Sequence, residues 1–390
     1  MSMSGWAIKD KVCIVGVGES AYTRWGRATR SELSLALEAI TRAVDDAGIP
    51  MEEVDGFSSY ASERQEPITL AATLGVKQLR FESMHWGGGG GGAPGSVMNA
   101  MLAVATGAAD YVVAYRSLAQ GQFGRFGQNR SGAVASGGAA FQVPWGVLAP
   151  VHTFAMQAQR HMHEYGTTSR QLGAVAVASY RHAQSNPRAV MHGRPLAIED
   201  HQNSRMIADP YRLFDCCQEN DGSCAVVLTS GERARSLKQR PVYVMAASQG
   251  SGPRRGLGAM NDSAFASANF REVGRDLFQR AGVTPKDIDV AQLYENFTGN
   301  VIMSIEDHGF CGIGEGGPFV ENGRIEIGGE LPINTSGGNL AEGYIHGFEL
   351  VVEGVRQMRG ASTCQVPGTE ICLVAGGPGV APCSDLIIRR

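Results

Sequence analysis

The sequence predicts an α/β fold built from two related halves, and three observations support this prediction. The segment AGIPMEEVD at 47–55 matches AGVTPKDID at 281–289 without a gap and with one constant offset. An amphipathic segment precedes each copy. Farther along, each half has a glycine-rich turn that leads into a helix and then an apolar strand, so both halves contain the same βαβ pattern.

The first half begins with a strand and a helix. VCIVGV at 12–17 is a short β-branched run that contains glycine, which is typical of a buried strand. Apolar residues then recur at steps of three and four along an amphipathic helix: Leu33, Leu37, Ile40 and Val44. Gly48 and Pro50 end this helix before a second strand near Val54. The order of strand, helix and strand predicts a parallel pairing.

The second shared pattern is WGGGGGGAPG, VMNAMLAVATG and YVVAY in the first half, and NTSGGNLAEG, ELVVEGVRQMRG and EICLVAGG in the second. Between the halves, about residues 116–240 form a predicted insertion with two helical stretches, TFAMQAQRHMHEYG and QLGAVAVASYRHA. An insertion of this size commonly supplies a lid or a binding wall. The predicted organisation is an N-terminal half at 1–240, including the insertion, and a C-terminal half at 241–390.

Composition favours a cytoplasmic small-molecule enzyme or a relative of one. The 34 basic and 38 acidic residues give a net charge of −4 without long runs of either sign, which argues against nucleic acid or an anionic membrane as the main partner. The first residues do not resemble a secretion signal, and we expect no membrane span. Eight cysteines without a Cys-x-x-Cys pair, and without histidine at zinc spacing, predict reduced thiols and no metal site.

Several motifs, in this order, resemble the thiolase superfamily. EYGTTSRQL and SRMIADPYRLFDCCQENDGSCAVVL are similar to the insertion, and the strand after it, of the lipid-transfer-protein (sterol-carrier-type) branch. QLYENFTGN at 292–300 stands where that branch has His-Asp-x-Phe. NTSGGNLAEGYIHG at 334–347 replaces Asn-x-Ser-Gly-Gly followed by Gly-His-Pro-x-Gly, and VAGGPGVAPC at 374–383 resembles the closing Cys-x-Gly-Gly strand. The resemblance implies the thiolase fold, with two duplicated βαβαβ halves, five-stranded mixed sheets, αβαβα layers and an inserted loop region.

The thiolase catalytic groups are absent from their expected positions. The nucleophilic cysteine position falls at Gly90, inside the glycine run at 87–92, which is either a functional loop or a flexible linker. The two histidine positions hold Tyr294 and Tyr344. The second cysteine position holds Leu373, and Cys372 is one residue away, so on a strand it faces the other side. A covalent acyl-enzyme requires a nucleophile with a base, so we expect no acyl-cysteine intermediate.

The remaining groups favour carbon–carbon cleavage of a 3-hydroxyacyl-CoA by a retro-aldol reaction. Backbone N–H groups of the glycine-rich turns can stabilise a thioester enolate, while the tyrosines serve as acid and base. A tyrosine of ordinary pKa, about 10, needs help from nearby donors or a cation to act as a base. Tyr344 is the favoured base because it is nearer His346 in sequence.

This combination resembles the steroid side-chain-cleaving aldolases. The resemblance implies a lyase of steroid or cholesterol side-chain degradation that converts a 17-hydroxy steroid carboxyl-CoA to a 17-ketosteroid and propionyl-CoA. It implies no cofactor, since CoA is part of the substrate. It also implies a small OB-fold partner of the acyl-CoA-associated type, in a heterotetramer. We further expect a homodimer in which YVVAYRSL at 111–118 is the pairing edge.

The candidate catalytic residues are Tyr294, Tyr344 and His346, and the candidate substrate- or oxyanion-binding residues are Gly90, Asn296, Asn334, Ala375 and Gly376. Each has a structural alternative. The tyrosines can be packing residues, and Glu295, Asn296 and Asn334 can be ordinary loop residues. His346 is a partner of Tyr344, an alternative base, or a core histidine; His85 is a weaker candidate, and His161 and His163 are expected to be structural.

Two other functions compete with the aldolase hypothesis. One is a non-catalytic acyl-CoA-binding or scaffold subunit whose active site has decayed. Decay does not explain tyrosine at both histidine positions together with both glycine turns. The other is a conventional thiolase, which the loss of both cysteine positions disfavours.

Overall fold

The computed structural model describes residues 6–86, 89–123, 140–253 and 263–390. Its strands are β1 (Val12–Glu19), β2 (Thr23–Arg24), β3 (Gly56–Tyr60), β4 (Phe81–His85), β5 (Val112–Ala119), β6 (Met206–Ala208), β7 (Tyr211–Arg212), β8 (Asn220–Ser230), β9 (Val242–Gly250), β10 (Val290–Leu293), β11 (Ile371–Gly376) and β12 (Cys383–Arg389). Its helices are α1 (Glu32–Ala47), α2 (Pro67–Leu74), α3 (Ala93–Thr106), α4 (Gln120–Phe123), α5 (Pro150–Tyr165), α6 (Ser169–Ala183), α7 (Ile198–Asn203), α8 (Gly231–Ala234), α9 (Arg271–Ala281), α10 (Thr298–Asp307), α11 (Gly316–Phe319), α12 (Gly338–Ala341) and α13 (Phe348–Arg359).

Ten strands form one mixed sheet with the order β10-β11-β12-β9-β1-β8-β5-β3-β4, in which β2 also pairs with β8. Outward from the centre, β1, β8, β5, β3 and β4 of the first half correspond to β9, β12, β11 and β10 of the second. A single parallel bridge between Ala291 and Ile333 takes the fifth place of the second half. The halves join where β1 pairs antiparallel with β9 over two residues. The expected five-stranded sheets are therefore continuous with each other.

Helices lie in the layers that the fold class predicts. α3 and α13 pack against strands of both halves and against each other, whereas α1 covers β1, β5 and β8 and α9 covers β9 and β12. This is the αβαβα arrangement. α1 lies so close to β1 that a Cβ on Gly16 or Gly18 would come within 2.0–2.1 Å of the carbonyl oxygens of Ala43 and Ala39.

The duplicated sequence has the same structure in both halves. Met51–Glu53 and Pro285–Asp287 each form a single 3₁₀ turn at equivalent positions. The last residue of each repeat then accepts two backbone N–H groups at the start of a neighbouring strand: Asp55 from Asp110 and Tyr111, at 2.9 and 2.8 Å, and Asp289 from Glu370 and Ile371, at 2.8 and 2.9 Å. The repeat thus ties β3 to β5 and β10 to β11.

Two expectations about strand neighbours are wrong. β1 and β3 run in the same direction but do not pair, because β8 and β5 lie between them. The segment 111–118 is not an edge, because β5 pairs with β3 on one side and β8 on the other. Within the described residues the edge on this side of the sheet is β4, whose Met84 is 54% exposed, followed by Trp86 at 88%.

The segment at 116–240 contains both sheet strands and an excursion from the sheet. β5 continues to Ala119, and β8 returns at Asn220 as a central strand. Between them, α5, α6, α7 and the β6–β7 hairpin build a wall over the second half. None of the helices in the described ranges combines the length and the hydropathy needed to cross a lipid bilayer.

Candidate active site

The two tyrosines lie in different turns of the chain, and their hydroxyl groups are in contact. Tyr294 follows β10, and its N–H donates to the carbonyl oxygen of Ala375 at 3.0 Å. Tyr344 lies between α12 and α13, and its N–H donates to Oδ1 of Asn220 at 2.7 Å. Their phenol oxygens are 2.9 Å apart, and the side chains are buried, with exposures of 4% and 7%. The sequence prediction that they form one site agrees with this geometry.

The ring of Tyr294 fills the space beside Gly90. A Cβ built on Gly90 would lie 2.2 Å from Cζ and 2.4 Å from both Cε2 and Oη of Tyr294. Gly347, on the other side, is also required, since its Cβ would lie 2.4 Å from Cδ2 of the same ring. Gly89–Gly92 form a helical turn before α3, which disfavours a flexible linker there; residues 87–88 lie outside the described residues. Tyrosine therefore occupies volume that a side chain at position 90 would need.

His346 contacts a buried arginine that the sequence analysis did not identify. Nη2 of Arg116 lies 3.1 Å from Nδ1 of His346, and Arg116 has no exposed surface. The rings of Tyr60 and Tyr344 each lie 5.7 Å from the imidazole, measured between centroids. The Tyr60 hydroxyl also donates to the carbonyl oxygen of His346 at 2.9 Å.

Burial decides the protonation of these groups near neutral pH. It raises the pKa of both tyrosines far above the ordinary value, because a buried phenolate loses its hydration. For Tyr344, the hydrogen bond with Tyr294 and the charge of Arg116 partly oppose this rise of the pKa. For Tyr294, the same hydrogen bond raises the pKa further. Burial, with the Arg116 charge, lowers the pKa of His346 well below its ordinary value. All three rings are therefore neutral.

A cavity of about 970 Å³ opens onto this cluster, near the upper end of the range for small-molecule sites. Gly90, Tyr294, Asn296, Tyr344 and His346 line it, together with Cys217 and the loop at 377–380. The insertion supplies its apolar wall, which contains Val151, Phe154, Met191, Ile207, Leu213 and Phe214. The expected role of the insertion as a binding wall agrees with this arrangement.

Three predicted binding residues lie behind the cavity wall in the described part of the chain. The Asn334 side chain is fully engaged with Leu293, accepting its N–H at 2.7 Å and donating to its carbonyl oxygen at 2.8 Å. Ala375 and Gly376 are the last two residues of β11; both are buried, and neither lines the cavity. The expectation of direct substrate contact is corrected for these three, because none of them lines the cavity; Asn334 and Ala375 instead bond to the end of β10 and to Tyr294 after it. They support Tyr294 from behind.

The other candidates also lie away from the cavity. His85 packs against Gly95, and His161 is within 3.1 Å of both carboxylate oxygens of Glu306, whereas His163 is exposed. The Cys372 thiol faces α13, where a Cβ on Gly354 would lie 3.3 Å from its sulfur. In the described ranges, no cluster of three or more His, Cys, Asp and Glu residues could hold a metal ion.

Glu295 and Glu342 are buried carboxyls whose pKa burial raises to about 8. A folded-state pKa above the unfolded value, about 4.3, gives stability that is present below about pH 4.3 and is lost as the pH rises through 8. We expect Glu342→Gln to reduce the decline of the unfolding free energy between pH 5 and 8, by about 1.4 kcal/mol per pH unit. Denaturant unfolding at several pH values measures this slope.

Glu232→Gln is the matched control, because Glu232 is an exposed residue of α8. It should leave the slope unchanged. An equal slope in wild type and Glu342→Gln would contradict the burial argument.

Known proteins match the chain over nearly its full length. The family description "Thiolase C-terminal domain-like" matches residues 254–388. The 17-hydroxy-3-oxo-4-pregnene-20-carboxyl-CoA lyase of Mycobacterium tuberculosis is 44% identical, over 98% of this chain and 100% of that protein. The steroid side-chain-cleaving aldolase of Thermomonospora curvata is 41% identical, over 96% and 97%. The structure of an Ltp2-ChsH2(DUF35) aldolase superposes with a TM-score of 0.91 at 40% identity, covering 98% of each chain.

These matches agree with the geometry of the site. The fold has the thiolase layers and duplication, but glycine and tyrosine stand at the cysteine and histidine positions. The chain belongs to the steroid side-chain-cleaving aldolases, a family within the thiolase superfamily.

Proposed function

We propose that this protein cleaves a 3-hydroxyacyl-CoA by a retro-aldol reaction in which two neutral tyrosines relay one proton. The observation that carries the proposal is the 2.9 Å contact between the hydroxyls of Tyr294 and Tyr344 at the cavity wall. Neither hydroxyl needs to ionise. A chain of two hydroxyls can accept a proton at one end while it releases one at the other.

The relay balances without a cofactor. The substrate hydroxyl gives its proton to Tyr344, which gives its own proton to Tyr294. The Cα–Cβ bond breaks as the β-carbon becomes a ketone, and its electron pair forms the thioester enolate. In the same step Tyr294 gives its own proton to Cα, so neither phenol becomes charged and both end as neutral phenols. We assign Tyr344 to the substrate hydroxyl because its ring neighbours His346, with 5.7 Å between the ring centroids.

The proposed substrate is a 17-hydroxy steroid carboxyl-CoA, and the products are a 17-ketosteroid and propionyl-CoA. The names of the two relatives that are 44% and 41% identical support a steroid substrate. The cavity supports it independently, since its wall is largely aliphatic and aromatic and its volume suits a rigid ring system.

Product analysis separates this proposal from a scaffold or a thiolase. The protein, together with any co-encoded small OB-fold protein, is incubated with the tertiary 3-hydroxyacyl-CoA or with a 3-ketoacyl-CoA plus CoA. We expect ketone and propionyl-CoA from the first substrate and no thiolysis of the second. Absence of cleavage would favour the scaffold alternative, and thiolysis would favour a thiolase.

We further propose a homodimer that joins two copies through β4, and a heterotetramer with two OB-fold partner chains. An exposed edge strand followed by a large apolar residue is a surface that proteins normally cover. The solved Ltp2-ChsH2(DUF35) aldolase, whose name joins two components, supports the presence of a second protein component. A cytoplasmic location is consistent with eight cysteines that form no disulfide.

Replacing Met84 and Trp86 by lysine tests the dimer. Two added charges per copy would face each other across the proposed interface, so we expect the double variant to be monomeric in the absence of the partner. Light scattering at micromolar concentration measures the mass. Ile313→Lys, at an exposed residue of the second half, is the control. A monomeric wild type, or a dimer in the double variant, would contradict the β4 interface.

A further inference from the structure

Arg116 is the one charged residue in the eight-residue strand β5, VVAYRSLA. Its side chain has no exposed surface. Nη1 faces the Tyr60 carbonyl oxygen at 3.2 Å and Glu63 at 3.5 Å, while Nη2 faces the Ser62 hydroxyl and Nδ1 of His346, both at 3.1 Å. A buried ion pair is a weak stabiliser compared with apolar residues of the same volume, so stability alone explains this arginine poorly.

The contact between Arg116 and His346 determines the tautomer of the imidazole. A guanidinium has five N–H donors, no acceptor, and a pKa too high to lose a proton in proteins. Nδ1 of His346 must therefore be the acceptor in this contact, and the ring proton must be on Nε2. A second proton on Nδ1 would place two donors against each other and two positive charges side by side.

The proton on Nε2 is on the cavity side of the ring. Nε2 is the ring atom nearest to Gly89, at 3.4 Å from a Cβ built there, and both residues line the cavity. Among the described residues, Arg116 from β5, Tyr60 from β3 and the neighbouring Tyr344 contact the imidazole. Arg116 places a positive charge beside the ring, which disfavours a second ring proton.

Glu63 holds Arg116 in place. Its carboxylate accepts N–H and O–H of Ser117, both at 2.8 Å, and the N–H groups of Arg64 and Gln65, both at 3.0 Å. Four donors fix the carboxylate, and the carboxylate in turn fixes the guanidinium. Glu63 therefore positions Arg116, and Arg116 in turn positions His346.

We propose that Arg116 is a positioning residue that keeps His346 neutral with its proton on Nε2, so that His346 serves the reaction as a hydrogen-bond donor to the enolate oxygen and never as the base. The donor role rests on the proposed retro-aldol function. The tautomer does not. A neutral imidazole donates a hydrogen bond to the enolate oxygen without transferring its proton. Proton transfer is then left to the two tyrosines.

The test uses the full protein labelled with ¹⁵N-histidine, in which long-range ¹H–¹⁵N spectra report the protonated nitrogen of each ring. His346→Gln assigns the signal. We expect His346 to carry its proton on Nε2 and to remain neutral from pH 8 to pH 5. A proton on Nδ1, or titration near the ordinary histidine pKa of about 6.5, would overturn the proposal. This readout needs no substrate, so it stands apart from any failure of the aldolase assay.

A double variant, Arg116→Met with Glu63→Gln, then tests the role of the arginine without leaving a carboxylate buried alone. We expect the Nδ1–H tautomer to appear and the His346 pKa to rise toward its ordinary value. We also expect kcat to fall by about 10²-fold, the scale for loss of one oxyanion donor. Arg359→Met with Asp46→Asn removes another ion pair, whose atoms are 2.7 Å apart and away from the cavity, and should leave the His346 signals unchanged. Unchanged His346 signals in the Arg116 double variant would overturn the assignment, and if that variant does not fold, the wild-type spectra decide.

Discussion

Tyr344→Phe and Tyr294→Phe are each expected to lower kcat by about 10²-fold or more, the scale of general acid–base groups. Each substitution removes one oxygen and breaks the 2.9 Å contact through which the proton passes. Folding should survive, because the loss of one hydrogen bond costs about 1 kcal/mol. Steady-state kinetics with saturating substrate and the intact complex measure the effect.

The double Phe variant separates a relay from two independent contributions. Once one hydroxyl is missing, the other has no partner to exchange a proton with, so the double loss should be much smaller than the product of the single losses. Tyr165→Phe is the matched control, since Tyr165 is a half-exposed residue at the end of α5 outside the cavity wall. Near-normal turnover in both single variants would contradict the relay.

Gly90→Ala is expected to reduce cleavage to about 1% or less. The new Cβ would overlap the Tyr294 ring at 2.2–2.4 Å, so the ring must move and its contact with Tyr344 must break. Overpacking of this kind costs about 1–3 kcal/mol, which a folded variant can tolerate. Thermal unfolding and product formation, measured on the same sample, separate loss of the site from loss of the fold.

Gly90→Cys extends this test to thiolase chemistry. It should give no thiolysis, because Tyr294 fills the space and the two thiolase histidine positions, which would supply the base to form a thiolate, hold Tyr294 and Tyr344. Gly231→Ala is the control, since its Cβ would meet nothing nearer than 3.6 Å. Thiolysis in Gly90→Cys, or normal cleavage in Gly90→Ala, would contradict the claim that the active site has no room for a side chain at position 90.

The pH dependence of kcat/KM follows from the directions of the pKa shifts. Burial raises the pKa of both tyrosines and lowers that of His346, so none of these three rings changes charge between about pH 6 and 8. The profile should be flat over this range when enzyme stability is controlled. A fall in rate on acidification through pH 6.5 would indicate that His346 is a base.

Much of the fold was predictable because its two halves share local sequence patterns. The repeat at 47–55 and 281–289 predicted two related halves, and the glycine-rich turns predicted the helices that follow them, α3 and α13. Strand order was not predictable, because β8 pairs with β1 and β5 from more than 100 residues away. For the same reason, YVVAYRSL looked like an edge although β8 and β3 cover both its sides.

The site residues that occupy known motif positions were predictable from the sequence. Those whose roles depend on long-range contacts were not. The motif positions identified Tyr294, Tyr344 and Gly90, although the fit of the ring against Gly90 required coordinates. Asn334 was taken as a binding residue because the motif does not show that its amide is used by Leu293. Arg116 could have been identified as a candidate site residue because it is a charged residue in an otherwise apolar strand.

The central claim is that the carbon–carbon bond breaks without a covalent intermediate and that the enolate is protonated within the site. The most direct measurement is cleavage of a 17-hydroxy steroid carboxyl-CoA in D₂O, with mass spectrometry of both the products and the intact protein. The relay predicts a 17-ketosteroid, propionyl-CoA with one deuterium at C2, and a protein of unchanged mass at every time point. An acylated protein, or intact substrate after prolonged incubation with the complete complex, would contradict the account.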